Sequence, residues 1–304
     1  MKILWILLFV LAVLAAVFLA GLFLMKPRRE QRKMQALRGF RYAHRGLHNQ
    51  ERGVPENSVK AFRLAAANGF GAELDVRLTK DRMPVVFHDK DLSRMCGVEG
   101  SVETMELREL RKLQLQGTNQ RIPTLEEVLA LFEGKTPLII ELKTGRGSCR
   151  ELCTQVCRRL EGYRGDYCIE SFDPRVLRWL RRNEPFILRG QLVESFACKT
   201  VLEHLSGGAR LLPVLLTHVL TRPDFVACRY EGRDNFLLRI CCKWLKAQEV
   251  SWTIRDQQAL DTVEGDGGIA IFEGFLPADH PVQEAKAGKP APEGGAETEP
   301  PARQ

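Results

Sequence analysis

The sequence contains no glycine-rich nucleotide-binding loop. Neither a G-x-G-x-x-G fingerprint nor a Walker-type loop occurs in its 304 residues. Such loops hold the phosphates of nucleotides in doubly wound open sheets. A nucleotide-binding open sheet therefore lacks its usual sequence support.

The chain also lacks the cysteine framework of a small secreted domain. Its nine cysteines are an odd number at scattered positions without paired short loops, and this usage fits a reducing compartment best. Cys149, Cys153 and Cys157 recur every four residues and share one face of a predicted helix. We expect them to be small core residues, because a zinc site needs a fourth ligand at suitable spacing.

Positive charge is plentiful but unevenly placed. The formal net charge is +7, and much of the excess directly follows an apolar run. No aromatic residues are interleaved with these basic residues, so nucleic-acid binding is the weaker interpretation. A basic cluster beside an apolar run instead predicts contact with an anionic lipid surface. The cluster consists of Lys26, Arg28, Arg29, Arg32, Lys33 and Arg38.

The apolar run covers residues 3–25, which are 23 uninterrupted positions. As a helix, it is long enough to cross the hydrocarbon core of a bilayer. A cleaved signal peptide is the alternative, but its apolar region has only about 7 to 15 residues. The basic flank orients a single-pass anchor with the rest of the chain in the cytoplasm, and an extracellular barrel is the alternative.

Composition divides the chain into four segments. We predict a transmembrane anchor over residues 1–25, a basic juxtamembrane linker over 26–38 and one globular domain over 39–277. About 240 residues are enough for one well-buried α/β domain. Residues 278–304 offer almost nothing apolar to bury and predict a disordered tail.

Short apolar or alternating runs punctuate the domain and predict strands. Helix signals fall between several of them: Asn57 and Ser58 are N-cap candidates, and Thr124-x-x-Glu127 forms a capping box. This alternation predicts a distorted (β/α)8 TIM barrel, with a doubly wound open sheet as the alternative. The predicted strands cover 41–44, 72–76, 84–88, 138–143, 167–171, 186–192, 250–254 and 268–272.

The second and third predicted strands lie too close together for a crossover helix. Only residues 78–83 separate them, which predicts an antiparallel hairpin. A turn centred near Asp81 and Arg82 would place His88 opposite Asp75, to within about one or two residues. We therefore expect the barrel to be irregular at this point.

Two carboxylates share one face of the second predicted strand. Period-two geometry turns Glu73 and Asp75 to one side and Leu74 and Val76 to the other. Buried together, the two carboxylates would raise each other's pKa, and a cation bound between them would most simply remove this repulsion. A solvated face is the alternative.

Glu141 supplies a third acid at the end of a strongly apolar run, where an unpaired charge is costly. It is a plausible third metal ligand, and oxygen ligands favour Mg²⁺ or Ca²⁺ over zinc. Lys143 points to the same side and is placed to bind a phosphate oxygen. An ion pair between Glu141 and Lys143 is the alternative.

His44 and His88 end the first and third predicted strands, and the carboxyl ends of barrel strands face the active site. Near a divalent cation, one histidine can assist attack on phosphorus while the other protonates the leaving alkoxide. Arg45 would hold the phosphate with its guanidinium fork. Taken singly, each histidine could equally be a surface or core residue, as we expect for His48, His204, His218 and His280.

A series of ordered motifs runs through nearly the whole predicted domain. They read Ala43-His44-Arg45-Gly46, Pro55-Glu56-Asn57-Ser58, Ala61-Phe62, Glu73-Leu74-Asp75-Val76, Thr79-Lys80-Asp81, Pro84-Val85-Val86-Phe87-His88-Asp89, Leu92 with Arg94, Ile122-Pro123-Thr124-Leu125-Glu126-Glu127, Glu141-Leu142-Lys143 and Trp252-Thr253. In this order they resemble the glycerophosphodiester phosphodiesterase family. So many motifs in one order argue against a chance match.

The resemblance implies a distorted TIM barrel that hydrolyses glycerophosphodiesters to glycerol 3-phosphate and an alcohol, with Mg²⁺ or Ca²⁺ as cofactor. It assigns acid and base roles to His44 and His88, metal ligation to Glu73, Asp75 and Glu141, and substrate contacts to Arg45 and Lys143. By the same resemblance, Glu56 and Asn57 would support the metal site or bind substrate, and Phe172 and Trp252 would line the glycerol end.

The chain departs from the family pattern in two places. The segment Gly267-Gly268-Ile269-Ala270-Ile271-Phe272-Glu273-Gly274 replaces the family's usual ending in a Thr-Asp pair before proline. The short span from Asp89 to Thr124 leaves little room for the insertion that often covers the glycerol site. A bulkier substrate, such as a lysophospholipid at a membrane, is therefore an alternative to a small soluble diester.

Two further functions stay open at this point. A similar barrel could cleave phospholipid headgroups by intramolecular transfer and release a cyclic phosphate. A membrane-bound barrel could also bind an anionic ligand without turnover, although the chain retains every acid and base of the set. The sequence indicates membrane lipid as a partner, and neither nucleic acid nor an obligate protein partner.

Overall fold

The computed structural model describes residues 31–145, 149–193 and 220–278, together with Trp5 and Phe9. The rest of the predicted anchor and the predicted tail from residue 279 onward lie outside the described residues. Within the described part of the chain, no helix is both long enough and apolar enough to cross a bilayer.

Eight parallel strands of the described residues close into a barrel, because β1 pairs with both β2 and β9. A further strand, β3, is antiparallel to β2. This architecture confirms the predicted distorted TIM barrel and excludes the open sheet. The strands are β1 (Tyr42–Ala43), β2 (Gly71–Leu78), β3 (Pro84–Val86), β4 (Leu138–Leu142), β5 (Tyr167–Ser171), β6 (Leu188–Val193), β7 (Phe225–Arg229), β8 (Gln248–Ile254) and β9 (Ile269–Phe272).

Helices alternate with most of the barrel strands. They are α1 (Gln31–Arg38), α2 (Val59–Ala67), α3 (Ser93–Cys96), α4 (Leu107–Leu110), α5 (Leu125–Phe132), α6 (Cys149–Leu160), α7 (Pro174–Asn183), α8 (Phe236–Arg239) and α9 (Gln257–Gly265). A π-helical turn, Ile240–Trp244, continues α8. Short 3₁₀ turns cover Gln50–Arg52, Val102–Thr104 and Tyr230–Gly232.

The predicted helix starts at α2 and α5 are confirmed. Ser58 Oγ accepts a hydrogen bond from Ala61 N at 3.1 Å. Thr124 and Glu127 form a reciprocal capping box, in which Glu127 Oε2 accepts from Thr124 N at 2.8 Å. These side chains satisfy backbone N–H groups that have no partner inside the helix.

The predicted hairpin between the second and third strands is confirmed, with a register one residue from the expected one. Val76 pairs with Val86, and Phe87 N donates to Asp75 O at 2.9 Å. Phe87 therefore stands opposite Asp75, and His88 follows one residue later. This difference lies within the stated tolerance of the turn position.

The predicted strand list was wrong at one position. It counted the hairpin strand β3 among the eight barrel strands and omitted β7, Phe225–Arg229. This short strand has the sequence FVACR, in which only Phe225 and Val226 carry a strong strand signal. β7 is nevertheless paired with β6 and β8 and is required to close the barrel.

Alternate side chains of the strands separate the two sides of the barrel wall. Leu74 and Val76 pack with Phe62 and Leu125 in the layer between strands and helices. Glu73 and Asp75 therefore face the barrel interior, as the period-two pattern predicted.

The lower interior, at the amino ends of the strands, is apolar, and we call it the floor. It includes Tyr42, Ile139, Leu188 and Phe225, and α1 contributes Met34 and Leu37 to it. The acidic side chains lie above this floor, towards the carboxyl ends of the strands.

Candidate active site

Three buried carboxylates form the centre of the site. Glu73 and Asp75 extend from β2, and Glu141 extends from β4 as the register partner of Asp75. One oxygen of each lies within 4.8 Å of an oxygen of the other two. All three side chains are buried. The expected convergence of these residues is confirmed, although Glu73 and Asp75 lie inside a longer strand, because Val76–Leu78 continues it to pair with β3.

The cluster has more negative charge than its surroundings balance. Burial, together with Asp75 and Glu141, raises the pKa of Glu73 well above its ordinary value. Burial, partly opposed by Lys143, raises the pKa of Glu141 to about 7. Burial would also raise the pKa of Asp75, but Lys143 and Arg45 hold it below its ordinary value. A divalent cation would remove this repulsion, and an all-carboxylate donor set suits Mg²⁺ or Ca²⁺.

Two cations border the acidic cluster. Lys143 Nζ lies 2.8 Å from Glu141 Oε1 and 3.2 Å from Asp75 Oδ1. The ion pair considered as an alternative for Glu141 and Lys143 is therefore present, at the edge of the three-carboxylate group. Arg45 Nε lies 3.4 Å from Asp75 Oδ2 and is buried without a hydrogen-bond partner among the described residues. Both cations are placed to meet an anion entering the site.

The imidazole of His44 contacts a carboxylate that lies 229 positions later in the sequence. Its Nδ1 makes a short contact with Glu273 Oε2, and its Nε2 lies 3.9 Å from Glu73 Oε2. The contact with His44 is the largest cause that lowers the pKa of Glu273 to about 2. Glu273 is thus ionised and fixes the imidazole with Nε2 towards the acidic cluster.

His88 has a similar partner. Its Nδ1 lies 2.7 Å from Asp89 Oδ1, and Arg94 Nε donates to Asp89 Oδ2 at 2.6 Å. Burial lowers the pKa of His88 below its ordinary value. Arg77 Nε donates to His88 O at 2.9 Å and ties this residue to β2. His88 and His44 are therefore both oriented through Nδ1.

Glu56 and Asn57 connect the two sides of the site. Glu56 Oε1 accepts from Arg45 at 2.8 Å and from Arg94 at 2.7 Å. Asn57 Nδ2 donates to Asp75 Oδ2 at 2.8 Å. Glu56 thus contacts both arginines, and Asn57 contacts the acidic cluster.

The loop that carries Arg45 depends on an unusual backbone. Arg45 and Asn57 have positive φ angles of 54° and 53°, and Asn57 N donates to Arg45 O at 2.9 Å. Gly46 also has positive φ, and a Cβ there would lie 2.9 Å from Ala61 Cβ. Only glycine fits at this close approach, which lets α2 support the loop. Left-handed backbone at non-glycine residues is concentrated at functional sites.

Phe172, which follows β5, and Trp252 of β8 form an aromatic pair. Their rings meet edge to face, 6.1 Å apart, and Phe172 is 42% exposed. Trp252 Nε1 is buried without a hydrogen-bond partner among the described residues. The guanidinium carbon of Arg229 lies 5.4 Å from the Trp252 ring centre. This pair offers an apolar wall with one free N–H donor.

Sequence reasoning missed several polar residues around the site. Glu170 is the register partner of Glu141, is 1% exposed, and has an oxygen without a hydrogen-bond partner among the described residues. Burial and Glu141 raise its pKa well above the ordinary value. An acid inside the apolar run 167–171 was the available signal. The supporting roles of Arg77, Asp89 and Arg94, and the pairing of Glu273 with His44, were missed as well.

The cysteine stripe on α6 matches the expectation of core packing. Cys153 and Cys157 are buried in the layer between helices and strands, and Cys149 is partly buried beside them. Burial raises the pKa of Cys157 to about 12, which keeps the thiol protonated. Among the described residues, the only group with the geometry of a metal site is the carboxylate cluster.

A closed parallel barrel with histidines, carboxylates and cations at the carboxyl ends of its strands defines a TIM-barrel protein with an enzyme-type site. The chain belongs to the glycerophosphoryl diester phosphodiesterase family, whose sequence pattern matches residues 44–209, more than half of its length.

Relatives and solved structures are consistent with this membership. A glycerophosphodiester phosphodiesterase from Caldanaerobacter subterraneus subsp. tengcongensis is 35% identical over 162 residues, which are 50% of this chain and 65% of that protein. The lysophospholipase D GDPD1 of Rattus norvegicus is 35% identical over 126 residues, 37% of this chain and 39% of that protein. The matched region thus spans less than two thirds of either relative.

The fold itself has close counterparts. A phosphodiesterase from Oleispira antarctica, solved in complex with the product sn-glycerol-3-phosphate, superposes with a TM-score of 0.64. The match covers 81% of this chain and 96% of that one at 23% identity. At this identity the similarity establishes the barrel fold.

Proposed function

We propose that the protein hydrolyses glycerophosphodiesters to glycerol 3-phosphate and an alcohol, in a reaction that depends on a divalent cation. The observation that carries the proposal is the convergence of Glu73, Asp75 and Glu141 within 4.8 Å, beside two oriented histidines. Family membership supports the choice of substrate.

Glu73, Asp75 and Glu141 would hold the cation. The raised pKa values of Glu73 and Glu141 indicate that the site has too little positive charge to balance its carboxylates. Carboxylate oxygens suit Mg²⁺ or Ca²⁺. A bound cation would polarise the phosphoryl oxygens of the diester. Asn57 fixes one Asp75 oxygen by its hydrogen bond and so orients one of the three ligands.

The two histidines would divide the proton transfers. Because Nδ1 of His44 is bound to Glu273 and Nδ1 of His88 to Asp89, Nε2 is the nitrogen that each ring has left for substrate or water. One Nε2 takes a proton from the attacking water, and the other gives a proton to the leaving alkoxide. The ionised carboxylates of Glu273 and Asp89 hold the two rings in place through these contacts.

Arg45 and Lys143 would bind the phosphate. The buried Arg45 Nε lacks a hydrogen-bond partner among the described residues, so a phosphate oxygen could occupy that donor. Lys143 Nζ contacts both Asp75 and Glu141 and can approach a second phosphate oxygen as a point charge. Phe172 and Trp252 would contact the carbon skeleton of the glycerol end.

A lysophospholipid is a second candidate substrate. The name of the Rattus norvegicus relative and the 42% exposure of Phe172 support a more open, apolar substrate end. Both candidates use the same phosphate chemistry and differ in the group attached to the glycerol. The predicted anchor over residues 1–25 supports a place at the membrane, with the barrel on the cytoplasmic side.

The test uses the full chain, purified in detergent micelles, with glycerophosphocholine and lysophosphatidylcholine as parallel substrates. We expect release of glycerol 3-phosphate with Mg²⁺ or Ca²⁺ and loss of turnover in EDTA. A purified His44→Ala protein controls for contaminating phosphodiesterases. Phosphorus NMR separates hydrolysis from cyclic phosphate formation. Unchanged substrate with every diester and metal tried would refute the proposal.

A further inference from the structure

The first described helix lies across the floor of the barrel, at the end opposite the carboxylates. Met34 and Leu37 of α1 pack into the floor cluster, and Tyr42 Oη donates to Leu37 O at 2.9 Å. Lys33 Nζ donates to Phe186 O at 2.8 Å, in the loop before β6. The chain therefore enters the barrel from its floor end.

The predicted membrane anchor is joined closely to this end. Only residues 26–30, five in number, separate the apolar run 3–25 from the start of α1. Even when fully extended, this connection reaches about 20 Å. An anchor in the bilayer thus holds the floor end near the lipid surface.

Two exposed aromatic side chains lie at the same end. Trp244 and Phe186 are each 68% exposed. They stand in the segments that lead into β8 and β6, at the amino ends of these strands. Exposed tryptophan is characteristic of the membrane–water interface, where an amphipathic ring lies at headgroup level.

Basic side chains without partners lie close to Trp244 in the sequence. Arg239, Lys243 and Lys246 are exposed, and within the described ranges none of their side chains has a hydrogen bond or ion pair. They line a cavity of about 540 Å³ with Arg38, whose Nε donates to Gln248.

Three acids line the same cavity, and two of them are engaged. Glu249 and Asp266 both bind Arg233, with Asp266 Oδ2 at 2.9 Å. The third acid, Asp234, is exposed. The three unpaired cations outnumber it, so the unpaired charge that lines this cavity is net positive. Unpaired cations in the same segment as an exposed indole match the chemistry of an anionic lipid surface.

We propose that this floor surface, made of Arg239, Lys243, Trp244 and Lys246, docks on the anionic headgroups of the membrane that holds the anchor. The carboxyl ends of the strands then face away from the bilayer. Within the proposed function, this orientation favours diesters that arrive from water over lipids embedded in the anchoring membrane.

Hydrogen exchange on the full chain in nanodiscs tests the orientation without requiring turnover. Nanodiscs of phosphatidylcholine alone are compared with nanodiscs that also contain phosphatidylglycerol. We expect amide exchange over residues 239–247 to slow by at least about five-fold with the anionic lipid, the factor that one basic residue contributes near such a surface. Raising the salt concentration should reverse the effect. Exchange in the site loop 89–104 should not respond to lipid charge.

Two triple variants make the test specific. Arg239→Gln, Lys243→Gln and Lys246→Gln together should abolish the response. Arg63→Gln, Lys112→Gln and Arg150→Gln remove the same charge from exposed positions elsewhere on the barrel and should leave it unchanged. The proposal would be overturned if amide exchange over residues 239–247 were equal in both kinds of nanodisc, or if both triple variants lost the response equally. It would also be overturned if anionic lipid slowed exchange over 89–104 instead, or if the chain failed to enter nanodiscs. Activity on a soluble diester is measured separately, so loss of docking is distinguished from loss of catalysis.

Discussion

Asp75 and Glu141 face each other as register partners on adjacent parallel strands, and Lys143 Nζ contacts both carboxylates. This arrangement sets like charges side by side in the barrel interior. Their pKa values diverge, because Lys143 and Arg45 favour the ionised form of Asp75 despite its burial, while burial raises the pKa of Glu141 to about 7. The two carboxylates therefore need positive charge close to them. A cation and a phosphate group would both bind beside this pair.

Replacing Lys143 tests its contact with phosphate. Lys143→Met keeps much of the side-chain length but removes the cation from Asp75 and Glu141. We expect kcat/KM to fall by about 10² or more, the loss of a charge-assisted contact of about 3 kcal/mol. Lys135→Met, at an exposed position beside Glu133, is the matched control. Unchanged kcat/KM in Lys143→Met would exclude the phosphate role.

The two histidines should be separable by the leaving group. His44→Ala and His88→Ala should each lower kcat by about 10² to 10⁴ on a glycerophosphodiester of an alkyl alcohol. A nitrophenyl leaving group needs no proton to depart. On such a substrate, only the variant that lacks the general acid should regain a kcat close to that of the unmodified protein. Steady-state kinetics on both substrates reveals which histidine that is. Equal recovery of both variants would contradict divided roles.

Glu273 should act through His44. Glu273→Gln keeps the size of the side chain but removes the charge that holds Nδ1. We expect kcat to fall by about 10-fold to 100-fold, with little change in KM, as for a group that positions a catalytic histidine. Glu273→Asp should restore part of the activity. A kcat equal to that of the unmodified protein in Glu273→Gln would show that His44 needs no such partner.

The same contact predicts a pH dependence of stability. The pKa of Glu273 falls from its ordinary 4.5 to about 2 in the folded protein. The unfolded state therefore binds more protons between these values, and the stabilising contribution is complete above about pH 4.5 and declines as the pH falls towards 2. Urea unfolding of the chain and of Glu273→Gln should show a stability difference at pH 6 that shrinks at pH 3. A constant difference would refute the assignment.

Most of the central site could be predicted from sequence because its geometry is local. Glu73 and Asp75 share a face through the period-two pattern of one strand, and His44 follows a strand end. The helix caps and the hairpin are also short-range, with partners within a few residues. Residues whose positions depend only on such short segments can be predicted even when one strand is missed. The barrel was predicted correctly although β7 was omitted.

The unpredicted features depend on closure of the barrel. Glu273 reaches His44 across 229 positions of sequence, because β9 pairs with β1. Glu170 faces Glu141 only through the register of β4 and β5. Neither register follows from composition or local periodicity, since a shift of one residue would turn each side chain to the other face.

A substitution in the capping box of α5 provides a test of the fold that leaves the site intact. Thr124→Ala removes the hydroxyl that accepts from Glu127 N at 3.3 Å. We expect the free energy of unfolding to fall by about 1 kcal/mol. Specific activity of the folded fraction should not change. A loss of activity at full stability would mean that α5 contributes to the site directly.

The most direct measurement is calorimetric titration of Mg²⁺ and Ca²⁺ into the full chain, with glycerophosphocholine turnover recorded on the same samples. We predict a saturable binding event that Glu141→Gln weakens at least about 10-fold, with turnover lost in parallel. Glu99→Gln, at an exposed position, should retain both binding and turnover. Hydrolysis at full rate in excess EDTA, or equal metal affinity in Glu141→Gln, would contradict the account.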